Sequence, residues 1–269
     1  MQHRQAYCWS NLTVVNQSQS GTKNIQDTCF VCHYARIPMA YHTMKIEENN
    51  GDDLSFLVTY PDGYSESTRY PLIVMLHGYG AHMGDLASLA PEIHPSGYIY
   101  AFPNAPLRVE FGGGAWGYSW LPSRESLPIA DIQQAEETVL SFVTEVAQRF
   151  DVPHGQILLA GFSQGGRMIY TIGLSNPETF AGLAVLSSGI SDPESLRARL
   201  PEHRDQRIFI AHGTEDNIER GRKSREFLVE EGYSPSYHEY NMGHEITPNV
   251  IHDLAEWIVG VLAPAVPNE

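Results

Sequence analysis

Ser163 lies in "GFSQGG" (161–166), directly after the apolar run "QILLA" and before a stretch with helical spacing. A packed strand end has no need of a serine between two glycines. A serine presented to a substrate does. The glycines let the chain turn sharply, and a following helix offers backbone N–H groups that favour negative charge. A serine hydroxyl is a weak nucleophile at neutral pH, so it needs a base, and the base needs an orienting acid. His244 in "MGHEIT" (242–247) is the candidate base, and Glu215 and Asp216 in "HGTEDNI" (212–218) are the candidate acids. An acyl-transfer oxyanion also needs two preorganised backbone donors. The N–H of Gln164, next to the serine, is one. The N–H of Tyr79 in "HGYGA" (77–81), where glycines let the backbone turn inward, is the other.

Other histidines fit this role less well. His252 falls inside a helical pattern, His238 inside a strand, and His203 in a charged loop. His212 ends a strand and is placed to support the acid loop. No metal is called for: His-Glu-x-x-His is absent, and His77, His82 and Asp85 do not make a convincing ligand set.

The elements that must hold these groups are short apolar runs alternating with helices. "LSFLVTYP" reads as a first strand. "YPLIVMLHG" (70–78), "GYIYAFPN" (97–104), "QILLAGF" (156–162), "GLAVLSSG" (182–189) and "RIFIAHG" (207–213) read as strands buried on both faces. Helical patterns span 130–150, 164–175, 218–231 and 248–261. In the first, Ile132, Ala135, Val139, Phe142, Val143, Val146 and Phe150 make one apolar face. The alternation predicts an α/β fold with a mostly parallel central sheet flanked by helices on both faces. Sites in such sheets form at the carboxyl ends of the strands. Ser163, the acid pair and "HGYGA" all follow apolar runs. Gly-x-Ser-x-Gly between strand and helix is the nucleophile elbow of α/β-hydrolases, and the chain order serine, acid, histidine is that of their triad.

The net charge of −15 argues against a nucleic-acid partner, which needs clustered Lys and Arg. No uncharged apolar stretch reaches the roughly 18 residues that span a membrane. The N-terminus lacks the apolar block of a signal peptide, so a cytoplasmic location is expected. Residues 1–45 are polar and aperiodic and read as an extension, leaving 46–269 as one catalytic domain. Cys8, Cys29 and Cys32 all lie in the extension. "CFVCH" (29–33) matches a short haem- or metal-site pattern, but no second cysteine pair completes a zinc site, and the thiols read as incidental.

Six motifs in order resemble the phospholipase/carboxylesterase branch of the α/β-hydrolases, which includes acyl-protein thioesterases: "LHGYGA", "PNAP" (103–106), "GFSQGG", "LSSG" (186–189), "HGTED" and "MGHEI". The resemblance covers about residues 70–250. It implies a cofactor-independent serine carboxylesterase acting on a small-molecule ester. Ser163, Asp216 and His244 stand at the family's triad positions, and Tyr79 and Gln164 at its oxyanion donors. Thioesterase, lysophospholipase or amidase chemistry would use the same groups. A binding protein on this fold would be expected to carry a broken elbow or triad, and neither is broken. Oligomeric state is not legible.

The segment "RVEFGGGAWGYSWLPS" (108–123) departs from the substrate loop expected of a eukaryotic acyl-protein thioesterase. It reads as a loop over the active-site face. Phe111, Trp116, Tyr118, Trp120 and Leu121 are expected to wall the substrate pocket, with Gly112–Gly114 letting the loop flex. Bulky walls and no apolar lid helix imply a preference for short to medium acyl chains.

Overall fold

The computed structural model describes residues 44–123 and 127–266, together with the backbone of Val14–Val15. Cys8, Cys29 and Cys32 lie outside the described residues. In chain order the strands are β1 (Val14–Val15), β2 (Lys45–Asn50), β3 (Ser55–Tyr60), β4 (Leu72–Leu76), β5 (Ile99–Pro103), β6 (Leu107–Gly112), β7 (Ala115–Ser119), β8 (Ile157–Phe162), β9 (Gly182–Leu186), β10 (Ile208–Gly213) and β11 (Ser236–Tyr240). The helices are α1 (Ala90–Ile93), entered through a 3-10 turn at Ala87–Leu89, α2 (Ile129–Arg149), α3 (Gln164–Ser175), α4 (Pro193–Arg197), α5 (Ile218–Glu230) and α6 (Pro248–Val261).

Nine strands form one sheet in the order β1-β2-β3-β5-β4-β8-β9-β10-β11. Strands from β5 to β11 in that order run parallel, and β3 joins β2 and β5 antiparallel. Side chains alternate across each strand, so each strand feeds two cores. Leu72, Val74 and Leu76 of β4 point into one layer with the apolar face of α2 (Val139, Phe142, Val143) and with α3. Ile73 and Met75 point into the other, against α1 and α6 (Val250, Leu254, Ile258). Each fully buried Val, Leu or Ile side chain stabilises by about 1.5–3 kcal/mol. This two-sided burial makes the runs continuously apolar. Among the described residues, no helix is long and apolar enough to cross a membrane.

Two elements escape the hydrophobic pattern. β2, "KIEENN", is largely polar, yet it pairs with all of β3. Ile46 is buried, and buried Glu47 accepts a hydrogen bond from Tyr60 Oη at 2.7 Å, so a strand forms where no apolar run announces one. The segment 107–119 is a β-hairpin rather than a loop: β6 and β7 pair antiparallel, with a register shift between Glu110 and Gly112. Gly112, Gly113 and Gly114 all have positive φ (81°, 61° and 79°) and form its tight turn.

Candidate active site

The site sits at the carboxyl ends of β4, β8, β10 and β11. Ser163 bridges β8 and α3 with φ 54° and ψ −113°, a backbone conformation that non-glycine residues rarely adopt. The neighbours explain how it is held. A Cβ at Gly165 would run into the Leu76 carbonyl of β4. One at Gly161 would lie 2.7 Å from the Gly165 carbonyl carbon. Only glycines let α3 start this close to the sheet, and the serine between them is forced upward.

His244 lies in the loop after β11. Its Nε2 is 2.8 Å from Ser163 Oγ, and its Nδ1 is 2.8 Å from Asp216 Oδ2. Asp216 follows β10. The two loops are laced together: Thr214 N–H donates to Tyr240 O at 2.8 Å, and Glu215 N–H to Met242 O at 3.1 Å. Burial opposes charge on Asp216, but the His244 hydrogen bond and the Asn217 amide outweigh it and hold the carboxyl below its ordinary value. An ionised carboxylate only accepts, so Nδ1 carries the proton and Nε2 is left to accept from the serine hydroxyl. Glu215, the other acid in this loop, is exposed and is not the carboxylate that meets His244. His212 is buried beneath Asp216, with Nε2 3.3 Å from Oδ2. Burial, against the pull of Asp216, keeps its imidazole below the ordinary value. His203, His238 and His252 lie elsewhere; His238 stacks on Phe209, and His252 faces Glu256.

Gln164 is the first residue of α3, so its amide has no acceptor within the helix. The loop after β4 carries Tyr79. A Cβ at Gly78 would lie 3.3 Å from Ser163 Cβ, which puts this loop beside the serine. His77 is buried, and burial pulls its imidazole down to about 4 despite the Gly78 carbonyl and Asp85. The ring is therefore neutral, with Nδ1–H donating to Gly78 O at 2.7 Å and Nε2 accepting from Ala105 N–H at 3.1 Å.

A cavity of about 330 Å³ opens beside Ser163. Ser163, His244 and Tyr79 line it together with Leu86, Leu89, Phe162 and Ile246. The five residues expected from the sequence to wall the pocket do not line it. Trp120 and Leu121 are 1% and 2% exposed and belong to the core under the loop. Tyr118 packs against the same core. Phe111 and Trp116 are half exposed on the hairpin, and only Phe111 approaches the cavity, edge-on to Tyr79 at 6.0 Å. The correction has a physical cause. Trp116 and Tyr118 are two apart on β7 and share a face, but β7 ends at Ser119, where Trp120 turns inward to donate its indole N–H to His77 O, and Phe111 sits across the hairpin on β6 beside Tyr79. The cavity's own apolar walls carry little signal in the sequence. Leu86 and Leu89 were legible only as three-apart leucines after "HGYGAHMGD", and Phe162 as the free position of Gly-x-Ser-x-Gly.

The decisive likeness extends over most of the chain: the family model described as Phospholipase/Carboxylesterase matches residues 64–262. The chain belongs to this family. A probable carboxylesterase of Oryza sativa subsp. japonica is 30% identical over 219 residues, spanning 75% of this chain and 82% of that protein. Acyl-protein thioesterase 1 of Aspergillus fumigatus is 31% identical over 218 residues, covering 71% and 88%. Among solved structures, SOBER1 of Arabidopsis thaliana aligns with TM-score 0.61 at 25% identity, over 70% of this chain and 97% of that one. Esterase PE8 aligns with TM-score 0.67 at 24% identity over 78% and 100%, which speaks to the fold alone. The sheet order and flanking helices are those of an α/β-hydrolase.

Proposed function

We propose that the chain is a serine carboxylesterase that hydrolyses short- to medium-chain carboxylic esters through an acyl-enzyme. The observation that carries this reading is the unbroken line Ser163 Oγ, His244 Nε2, His244 Nδ1, Asp216 Oδ2, with both links at 2.8 Å. His244 takes the serine proton as Oγ attacks the ester carbonyl. Asp216 holds the ring in the tautomer that can accept and stabilises the imidazolium that results. The amides of Tyr79 and Gln164 receive the oxyanion. His244 returns the proton to the leaving alcohol, and water repeats the sequence on the acyl-enzyme. All these groups lie in residues 46–269, the proposed catalytic unit.

The chain-length reading rests on the cavity. At about 330 Å³ it is at the small end for a ligand pocket, and its walls of Leu86, Leu89, Phe162 and Ile246 suit an acyl chain of modest length. The same machinery serves a thioester, and relatives named as acyl-protein thioesterases favour that as the second reading.

A fluorophosphonate should label Ser163, and Ser163→Ala or His244→Ala should each lower turnover by about 10³-fold or more. A chromogenic ester series from acetyl to palmitoyl, with matched thioesters, tests the substrate. Near-normal activity in Ser163→Ala sinks the mechanism, and a palmitoyl optimum sinks the chain-length reading.

A further inference from the structure

The β6–β7 hairpin leads into Trp120, whose two N–H groups go to two different segments, the loop after β4 and the start of α3. The indole Nε1–H donates to the His77 carbonyl at 2.9 Å. The backbone N–H donates to Gln164 Oε1, also at 2.9 Å. His77 is two residues before Tyr79, and Gln164 directly follows Ser163. One residue thus ties together the two chain segments that carry the proposed oxyanion amides. The surrounding contacts tighten both ties. Ser119 Oγ accepts from Gln164 Nε2 at 3.0 Å. Tyr118 O accepts from Gly80 N–H at 2.8 Å, and Tyr118 N–H donates to Ala81 O at 2.8 Å. The His77 ring holds the Gly78 carbonyl. That carbonyl and the Tyr79 N–H belong to one planar trans peptide and point in opposite directions. Holding the carbonyl on the ring side therefore aims the N–H away from the ring.

We propose that Trp120 is a positioning residue that sets the spacing of the two oxyanion donors, Tyr79 N–H and Gln164 N–H, by hydrogen-bonding both of their loops at once. Trp120 is 1% exposed and does not line the cavity, so it acts through these loops and not on substrate. A buried indole needs some acceptor for its N–H in any fold. What separates this tryptophan from an ordinary core residue is that its two donors go to the two halves of one site. The role explains why Trp120 is buried beside the oxyanion loop instead of walling the pocket. This inference rests on the esterase reading above.

Trp120→Phe keeps most of the apolar ring and removes the indole donor. Loss of a whole oxyanion donor costs about 10²–10³ in kcat, so a donor left present but displaced should cost about tenfold. The expected result is a kcat lower by about tenfold with KM within about twofold of the parent. The affinity for an alkyl boronic acid or trifluoromethyl ketone, whose serine adducts occupy the oxyanion site, should fall by the same factor. A folded Trp120→Phe enzyme with unchanged kcat and unchanged inhibitor affinity overturns the proposal, as does a rise in KM alone. Should that variant fail to fold, Gln164→Met decides the matter. It cuts the other tie at a partly exposed side chain while leaving the Gln164 backbone amide in place. It must show the same kcat-only, inhibitor-matched loss, and normal kinetics overturn the proposal. Ser163→Ala in the same assay separates the two levels. Its inactivity beside a normal Trp120→Phe enzyme overturns only the role of Trp120, whereas its activity overturns the esterase reading beneath.

Discussion

The two halves of the proposed oxyanion site are built in opposite ways. The elbow half is made by leaving atoms out: Gly161 and Gly165 let α3 start against β4 and β8, and the strain falls on Ser163 at φ 54°. The loop half is made by adding ties. His77, Gly78, Gly80 and Ala81 are held by Ala105, Tyr118 and Trp120, from strands and a hairpin distant in sequence. Steric exclusion among near neighbours leaves a short, local signature in the chain. Side chain-to-backbone ties leave almost none, because the donor can come from anywhere and its acceptor is a carbonyl that every residue possesses.

A single methyl group gives the sharpest test of this contrast. Gly165→Ala must push a Cβ into the Leu76 carbonyl, a backbone atom that cannot rotate away. We expect a loss of about 3 kcal/mol or more in denaturant unfolding. Gly78→Ala, in the tied loop, would bring its Cβ no nearer than 3.3 Å to Ser163 Cβ. It should cost less than about 1 kcal/mol while still disturbing turnover. Equal costs at the two positions would erase the distinction between an excluded-volume half and a tied half.

This difference sets what could be read from the chain. Six strands and four helices were visible because two-sided burial writes unbroken apolar runs and an amphipathic helix writes a three-four spacing. Ser163, Asp216 and His244 were visible as serine, acid and histidine following strands. β2 was not, because Glu47 is accommodated by Tyr60 rather than by apolar neighbours. The hairpin was not, because its turn of three glycines reads equally well as a flexible loop. Trp120 reads from the sequence as apolar bulk suited to a pocket wall, whereas its burial and its two donors place it beneath the loop that carries Tyr79.

Acid tests the tied half next. His77 stays neutral in the fold down to about pH 4 because it is buried. The unfolded imidazole takes a proton near pH 6.5. Between those values the unfolded chain binds more protons, so stability falls as pH drops from about 6.5 towards 4 and is fully retained above that window. The shift corresponds to a contribution on the order of 3 kcal/mol. His77→Gln removes the buried ring that bonds Gly78 O and Ala105 N–H, so it should be less stable than the parent at pH 7, and the gap should narrow as the pH approaches 4.5. A gap that stays constant, measured by urea unfolding at the two pH values, would show that burial of the neutral ring is not what holds this loop.

The smallest effect is expected at the hairpin's outer face. Trp116 is 48% exposed, with the Arg108 guanidinium 4.9 Å from its ring and Tyr118 edge-on at 5.4 Å. An exposed cation–π contact of this kind contributes about 0.5–1 kcal/mol. Trp116→Ala should cost no more than that, and should leave relative rates across the acyl series within about twofold of the parent. Phe111 is equally exposed but packs edge-on to Tyr79, a residue that lines the cavity. Phe111→Ala should therefore perturb KM more than Trp116→Ala does, though neither should approach the loss expected from Trp120→Phe. The ordering Trp120, Phe111, Trp116 follows the distance of each side chain's contacts from the oxyanion loop, not its size. If Trp116→Ala moves the optimum towards longer acyl chains, the hairpin's outer face reaches the substrate, and the separation between a tying role and a pocket-walling role collapses.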